Sequence, residues 1–430
     1  MDDDTRAWLE ASVEGRVVRE ERPPTGGSRT VYLIDVERGA ETLPLVVRCE
    51  GEGSFTGTEV SLAREAVVYR ALAPTPVPAP KLVALSPDAS VMVLERVTGS
   101  TDLAPVGTDE RTATMESFVD ALVTLHALDV DDLDLPGFAV PRTAPDHARG
   151  DLGMWARLGA LAQPLDPLLR FAAAWLWTHA PAEVPRTVLV QGDTGPGNFL
   201  AADGRVTGVV DWEFAHVGDP MDDWAWIEMR AETSELPALH ERYARASGIP
   251  IDDERIAYYR LAVQYRCAVT TSLAVRRGSG ARGWAPYLLA TQRFLDGVAR
   301  ALADLCSVSL PEPVPVAGES PRTALYDELL TGVRAATGAI DDPATRDATR
   351  NLQILVRHLR AVDRAGAALE GEERDDRATT LGEHVDDARL GDLVDDAGGC
   401  GDTTVLGYLL RRRARERQLW ADLLDRRARS

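Results

Sequence analysis

The hydrophobic pattern of this chain changes near residue 100, and that change restricts the fold more than any other feature. Before Gly99, apolar and polar residues alternate in short runs, as they do in strands with one buried face. The runs are GRVVREER, TVYLIDV, PLVVRCE and SVMVLERV. One segment between them, SLAREAVVYRAL, has helical spacing at Leu62, Val67 and Leu72. The first 99 residues therefore predict a small sheet with one helix.

From about Thr101 to Leu310 the pattern is mostly helical, as in MESFVDALVTLHAL and DPLLRFAAAWLW. The stretch PEPVPVAGESP then indicates a linker, and the residues after it are helical and densely charged. The chain therefore predicts an α+β protein in three parts, with boundaries near residues 99 and 310. Residues 311–430 would be the linker and a helical accessory domain with its own core.

Charge and hydropathy exclude two classes of partner. The formal net charge is −21 at pH 7, and an acidic surface repels the phosphate backbone of nucleic acid. The start, MDDDTRAWLE, lacks the basic and apolar regions of a secretory signal. No apolar run approaches the ~20 residues that a membrane span needs. We expect a cytoplasmic protein that binds neither nucleic acid nor a membrane.

Three oxygen-bearing side chains lie in two neighbouring segments that contain apolar runs. VLVQGDTGPGNFL carries Asp193 and Asn198, and VTGVVDWEF carries Asp211. An Asp-Gly turn lies between the two segments, so we expect the segments to pair as a hairpin that brings these side chains together. Carboxylate and amide oxygens suit Mg²⁺, and a second carboxylate can accept a proton. This set favours phosphoryl transfer, in which positioning and charge neutralisation do most of the catalysis.

These motifs carry a family resemblance. Asp193-x-x-x-x-Asn198 followed by Asp211-x-Glu213 resembles the catalytic and metal-binding loops of the aminoglycoside phosphotransferase and choline kinase family, relatives of protein kinases. The resemblance implies a bilobal protein-kinase-like fold, with a small β-rich N-lobe and a larger α-rich C-lobe. It also implies that Asp193 is the catalytic base, that Asn198 and Asp211 hold Mg²⁺, and that Glu213 supports the metal. The chain departs from the family at Gln191, where histidine is usual.

The same resemblance implies that the first lobe binds ATP. In TGGSRT, Gly26, Gly27 and Ser28 would let backbone N–H groups approach the phosphates, although an ordinary hairpin turn is the alternative. The stretch that contains Glu95 and Val97 is similar to the hinge whose backbone meets adenine.

Arg48 stands where the family carries a lysine for the α- and β-phosphates, and Glu65 resembles its partner. Guanidinium binds phosphate as a fork, so the function can survive this exchange with a different geometry. The alternative is a surface ion pair, which would contribute little to stability.

Other conspicuous residues are predicted to be structural. Asp219 is expected to cap a helix that begins at Pro220, and His126 is expected to be a hydrogen-bonded core histidine. Four tryptophans in apolar helical segments are expected to be buried: Trp175, Trp177, Trp224 and Trp226.

The resulting prediction is an ATP- and Mg²⁺-dependent phosphotransferase that moves the γ-phosphoryl group to a hydroxyl of a small molecule. The acceptor stays open between aminoglycoside-like compounds, amino alcohols and hydroxyacyl-CoA thioesters. The alternative from another class is a non-catalytic nucleotide-binding regulator that acts through the helical domain. The amphipathic helices of that domain would close over the acceptor cleft or form the interface of a homodimer.

Overall fold

The computed structural model describes residues 1–23, 29–50, 55, 58–231, 234–278, 284–312 and 318–425. Internal contacts divide the chain into two compact units. Unit 1 comprises Met1–Asp151 and Pro181–Arg260, and unit 2 comprises Leu152–Ala180 and Leu261–Ser430. The three-part division at residues 99 and 310 stays a prediction. No helix in the described ranges is long and apolar enough to cross a membrane.

All nine strands of the described residues lie in unit 1. They are β1 (Arg16–Glu21), β2 (Arg29–Arg38), β3 (Glu41–Glu50), β4 (Leu82–Leu85), β5 (Val91–Glu95), β6 (Val188–Val190), β7 (Phe199–Ala202), β8 (Arg205–Val209) and β9 (His216–Gly218).

Helices of four or more residues number fourteen over the same described ranges. They are α1 (Asp3–Val13), α2 (Leu62–Leu72), α3 (Thr108–His126), α4 (Asp146–Leu161), α5 (Pro167–Thr178), α6 (Pro220–Arg230), α7 (Leu236–Ser247), α8 (Asp253–Arg277), α9 (Ala285–Leu305), α10 (Thr323–Gly338), α11 (Pro343–Leu381), α12 (Asp387–Cys400), α13 (Thr403–Gln418) and α14 (Ala421–Leu424).

The first five strands form one antiparallel sheet in the order β1-β2-β3-β5-β4. The residues of one core cluster recur every second position because successive strand side chains point to opposite faces. On three neighbouring strands they are Ile34 and Val36, Leu45 and Val47, and Val91 and Val93. Leu9 and Val13 of α1 belong to the same core cluster. The four predicted strands and the helix α2 are confirmed, whereas α1 and β4 were not predicted.

The predicted hairpin around the candidate catalytic residues is confirmed. The end of the segment VLVQGDTGPGNFL forms β7, which pairs with β8. The predicted turn connects them, since Asp203 and Gly204 have φ angles of 50° and 72°. The open end of this hairpin places Asn198 next to the segment that carries Asp211. The run before Asp193 forms a separate strand, β6, and its pairing with β9 was not predicted.

Unit 1 also contains α3, α6 and α7. The side chain of Asp219 accepts a hydrogen bond from the Met221 backbone and caps α6, which begins with Pro220, as predicted. His126 is fully buried on α3, where its Nδ1 lies 2.7 Å from the Tyr243 hydroxyl. The predicted structural roles of Asp219 and His126 are confirmed.

Unit 2 is helical, and its last helices pack on α5 and α9. α12 approaches α5 closely at Gly398, where a Cβ would lie 2.5 Å from the carbonyl oxygen of Phe171. Arg413 of α13 is buried, and its Nε donates to Asp296 of α9 at 2.8 Å. The helices that follow the predicted linker thus share a core with α5 and α9. Trp177 of α5 is 48% exposed, so its predicted burial is wrong.

Candidate active site

The candidate site lies within unit 1, on the loop between β6 and β7. The second residue of this loop must be glycine, because Gly192 has a φ of 84° and a Cβ there would lie 2.2 Å from the carbonyl oxygen of Phe214. The backbone can therefore turn sharply after the buried strand β6 and present Asp193. The side chain of Asp193 is 16% exposed.

Gln191 connects the loop to the segment that carries Asp211. Its Nε2 donates to the carbonyl oxygens of Val210 and Asp211 at 3.0 and 2.8 Å. Its Oε1 accepts from the backbone N–H of Asp193 at 2.8 Å. An amide side chain can donate and accept at once, so glutamine serves here as a two-sided link. Glutamine in place of the usual histidine therefore still binds the backbone of both Asp193 and Asp211.

Asp223 of α6 holds the same loop from the other side. Its carboxylate is fully buried and accepts from the backbone N–H groups of Gln191 and Gly192, both at 3.0 Å. It also accepts from the hydroxyl of Thr194, and Nε2 of His126 lies 3.0 Å away. A buried carboxylate with this many partners fixes the backbone around it.

The carboxylate of Asp193 has two cationic or polar neighbours. Asn198 donates from Nδ2 to its Oδ2 and, at 2.6 Å, to its backbone oxygen. Arg230 contacts Oδ1 through Nη2. Burial raises the pKa of Asp193 to about 7, Asp211 adds to the rise, and Arg230 opposes it. A carboxyl group with such a pKa can accept a proton near neutral pH, as a general base must.

Asn198 and Asp211 lie together on the wall of one cavity. The backbone N–H of Val210 donates to the carbonyl oxygen of Asn198 at 2.9 Å, which joins the two segments. Asp211 has a φ of 63°, a left-handed conformation that is uncommon outside glycine and recurs at functional sites. The structure thus brings together Asp193, Asn198 and Asp211, as the sequence predicts.

Arg48 and Glu65 form a buried ion pair beside Asp211. Arg48 contacts Glu65 through Nη1 and donates from Nη2 to Oδ1 of Asp211 at 2.8 Å. The side chains of Arg48 and Glu65 are 11% and 0% exposed. The alternative of a surface ion pair is therefore wrong. Burial raises the pKa of Glu65, while Arg48 opposes that rise.

Glu213 contacts Arg29, an arginine that lines this cavity. Its Oε2 lies 3.3 Å from Nε of Arg29, and Nη1 of Arg29 lies 2.6 Å from Glu50. Burial raises the pKa of Glu213 to about 8, and the nearby charge of Asp211 adds to the rise. Arg29 thus lies between Glu213 and Glu50. The support of a metal by Glu213 stays a prediction.

Acidic side chains outnumber basic ones among the described residues of this network. The acids are Asp193, Asp211, Glu213, Glu65 and Glu50, and the guanidinium groups are Arg29, Arg48 and Arg230. Burial of these acids raises the pKa values of Asp193 and Glu213, and a divalent cation bound beside them would favour their ionised forms.

A Mg²⁺ ion suits the oxygen ligands of Asn198 and Asp211. Arg48 contacts Asp211 through Oδ1, and a carboxylate offers a second oxygen for a cation. No group of three His, Cys, Asp or Glu residues within the described ranges forms a complete metal site. Mg²⁺ commonly binds through one or two protein groups together with substrate phosphates, so this donor set fits it.

A cavity of about 500 Å³ adjoins the two proposed metal ligands. The apolar side chains of its wall include Val31, Leu33, Val46, Leu94, Val97 and Leu200, and the polar ones include Arg48, Asn198 and Asp211 together with Arg29, Tyr69, Arg96, Ser100 and Thr101. Glu95 also lines it, although its side chain is exposed. A largely apolar cavity with a few polar groups at one position is typical of a small-molecule site. Gly26, Gly27 and Ser28 lie outside the described residues.

Two residues of the network were missed by the sequence predictions. Arg29 and Arg230 are arginines without a motif, and each contacts a predicted acidic residue that is far away in the chain. Arg230 offered one signal, because it lies seven residues after Asp223 and hence on the same face of a helix. Nothing comparable marks Arg29.

The chain belongs to the phosphotransferase enzyme family. The family model described as APH, the phosphotransferase enzyme family, matches residues 20–262, which is more than half of the chain. The predicted family is therefore confirmed, and the site described above lies within the matched range. The class that this match gives is that of phosphotransferase enzymes.

Among curated proteins, the chain is similar to the Homo sapiens protein named acyl-CoA dehydrogenase family member 11. The two are 28% identical over 244 residues, which cover 54% of this chain and 30% of the human protein. The chain thus spans less than a third of the length of the curated relatives it matches.

Among solved structures, the chain is similar to a candidate aminoglycoside phosphotransferase from Ralstonia eutropha. The identity is 22%, the TM-score is 0.53, and the match covers 70% of this chain and 97% of that one. Choline kinase from Streptococcus pneumoniae matches with 17% identity and a TM-score of 0.52, covering 69% of this chain and all of the other. These likenesses confirm the predicted kinase-like fold, with a sheet-containing N-terminal region, a helical region and additional C-terminal helices.

Proposed function

We propose that the chain is an ATP- and Mg²⁺-dependent phosphotransferase that moves the γ-phosphoryl group of ATP to a hydroxyl of a small molecule. One observation carries the proposal. Asp193, Asn198 and Asp211 converge next to a mainly apolar cavity whose wall also holds Arg48. This is the set that phosphoryl transfer needs, namely a base, metal ligands and a cation for phosphates.

Each residue has a distinct proposed role. Asp193 accepts the proton of the acceptor hydroxyl, since its carboxylate is partly shielded and its pKa is raised to about 7. Asn198 and Asp211 would hold Mg²⁺, and the bound ion would neutralise charge on the phosphates. Arg48 is proposed to contact the nucleotide phosphates, and Glu65 keeps its guanidinium in place.

The apolar cavity is the proposed adenine site. Val31, Val46 and Leu94 line it, and Val97 follows β5 at the predicted hinge. Adenine is planar and weakly polar, so apolar walls suit it, and backbone groups of the stretch from Glu95 to Val97 would supply its hydrogen bonds. The roles of Gly26, Gly27 and Ser28 at the phosphates stay part of the proposal.

The acceptor is proposed as a hydroxyl-bearing small molecule. The curated relatives carry acyl-CoA in their names, which places hydroxyacyl-CoA thioesters first among the compounds to test. Aminoglycosides and amino alcohols follow, since the solved structures with similar folds include a candidate aminoglycoside phosphotransferase and a choline kinase.

Phosphorus NMR tests the proposal directly. The full chain is incubated with ATP, MgCl₂ and a panel of hydroxyacyl-CoA thioesters, aminoglycosides, amino alcohols, sugars and macrolides. We expect a new phosphomonoester resonance and ADP with at least one compound, and neither product with Asp193→Asn at the same protein concentration. If MgATP binds but no compound yields ADP or a phosphoester, the non-catalytic regulator is supported and the proposal fails.

A further inference from the structure

The last residue of α6 is an arginine that contacts the proposed base at two points. Nη1 of Arg230 donates to the backbone oxygen of Asp193 at 2.6 Å, and Nη2 contacts the carboxylate oxygen Oδ1. One planar guanidinium thus binds the backbone and the side chain of the same residue. Because the guanidinium is rigid, this fork restricts the rotamer of Asp193 as well as its charge.

Arg230 is itself held in place. A Cβ at Gly195 would lie 3.2 Å from its Cδ and 3.4 Å from its own Cβ, so its stem packs against a glycine of the catalytic loop. Its guanidinium carbon lies 4.8 Å from the centre of the Trp226 ring. The side chain is 24% exposed. A partly buried arginine with these contacts loses little further freedom when it binds a carboxylate.

Helix α6 holds the loop on both sides of Asp193. Asp223 and Arg230 are seven residues apart, which is about two turns, so both project from one face of the helix. Asp223 accepts from the backbone before Asp193, and Arg230 binds Asp193 itself. The helix therefore fixes both the backbone before the base and the carboxylate of the base.

We propose that Arg230 is a positioning residue for phosphoryl transfer, acting only through Asp193. Arg230 uses Oδ1 and Asn198 uses Oδ2, while an ionised carboxylate has about four acceptor positions. The remaining positions can receive the acceptor hydroxyl, and the direction in which they point is set by the two contacts. This inference rests on the proposed function of Asp193 as the base.

A double-mutant cycle in the full chain tests the proposal. The variants are Arg230→Ala, Arg230→Lys, Asp193→Ala and the double variant Arg230→Ala with Asp193→Ala. Turnover is measured as ADP release with water and with the acceptor found by NMR, and MgATP affinity is measured by calorimetry. Arg230→Ala should lower kcat by at least about tenfold, as misplacement of a reacting group does. The KM for MgATP should stay within about twofold, since Arg230 is not among the residues that line the cavity.

Two further results are expected. Arg230→Lys should recover part of kcat, since an ammonium group keeps the charge but not the fork. In the Asp193→Ala background, removal of Arg230 should change kcat no further. The matched control is Arg242→Ala, which removes another two-pronged contact, to Asp120 at 2.7 Å, and should leave kcat unchanged.

Two results would overturn the proposal. One is an unchanged kcat in Arg230→Ala. The other is a loss of kcat on removal of Arg230 that is as large in the Asp193→Ala background as in the wild type. Melting temperatures of the wild type, the two single alanine variants and the double variant give a reading that does not depend on activity. The shift of the double variant should be smaller than the sum of the two single shifts, because the residues are in contact. Additive shifts would overturn the inference even in a protein without turnover, whereas absent turnover with non-additive shifts would count against the proposed function alone.

Discussion

The two ends of the candidate site are built in different ways. At the base end, the loop that carries Asp193 is held mainly by hydrogen bonds from residues within about 40 positions in the chain, Gln191, Asp223 and Arg230 among them. At the metal end, Asp211 is bound by Arg48, which is 163 residues away in the sequence. The base end is thus held by segments within about 40 positions of the loop, and the metal end by a segment 163 positions away.

The difference separates two kinds of sensitivity. A loop with many hydrogen bonds can lose one of them and keep its general shape. A substitution at the base end is therefore expected to lower turnover more than stability. A buried ion pair that loses one partner leaves an uncompensated charge. A substitution at the metal end is therefore expected to lower both turnover and stability. The following predictions test this contrast, from the largest expected effect to the smallest.

Asp193→Asn should lower turnover by roughly 10²–10⁴-fold, because the amide cannot accept the hydroxyl proton. The amide keeps the size of the carboxylate, so the melting temperature should change little. Steady-state ADP release with the identified acceptor measures the effect. A variant that retains more than about half of the wild-type turnover would remove Asp193 from the role of base.

Glu65→Leu should destabilise the protein by about 3–5 kcal/mol, since it leaves the buried guanidinium of Arg48 without its main partner. Urea unfolding measures the change. The control is Glu37→Leu, which removes the partner of Arg16 in a pair whose side chains are 71% and 51% exposed. That change should cost no more than about 1 kcal/mol. Equal losses in the two variants would contradict the claim that the Arg48 pair is buried.

Gln191→Leu should cost about 1–3 kcal/mol in stability, because the partly buried carbonyl oxygen of Val210 and N–H of Asp193 lose their partner. Turnover should fall as well, since the two carboxylate segments lose their direct link. Gln191→His is the matched variant, as an imidazole can donate at one nitrogen and accept at the other. It should recover part of both losses, and a histidine variant no better than leucine would contradict this account of the link.

Arg48→Lys should have the smallest effect, a rise of about tenfold in the KM for ATP, since lysine keeps the charge but cannot bridge Glu65 and Asp211. Arg48→Ala should have a larger effect on the same constant. Steady-state kinetics at varied ATP concentration gives both values. Unaltered KM and kcat in the alanine variant would remove Arg48 from the nucleotide site.

The sequence was most informative where the signal is local. The alternation of apolar residues predicted β2, β3 and β5, and the motif spacing predicted that Asp193, Asn198 and Asp211 meet. The pairing of β6 with β9 was missed because strands of three residues carry too little pattern to specify a partner. The Asp-Gly turn, in contrast, located the hairpin of β7 and β8 correctly.

Non-local contacts could not be predicted from the sequence. Arg29 and Arg230 are ordinary arginines until the fold places a carboxylate beside them. In the same way, the proline-rich stretch interrupts the helical pattern of the sequence, but it does not indicate which surface the following helices cover. α12 and α13 pack on α5 and α9, and this depends on close approach at Gly398 and on the buried contact of Arg413 with Asp296.

Calorimetry of MgATP binding to Asp193→Asn and Asp211→Asn tests the central claim, which assigns the proton to one carboxylate and the metal to the other. Asp193→Asn should bind MgATP within about threefold of the wild-type Kd, since Asp193 is not a proposed ligand of the metal and the amide oxygen can still accept from Asn198. Asp211→Asn should show no binding that depends on Mg²⁺, because the ion loses its charged protein ligand. If the two variants were equally impaired for MgATP, this division of roles would be contradicted.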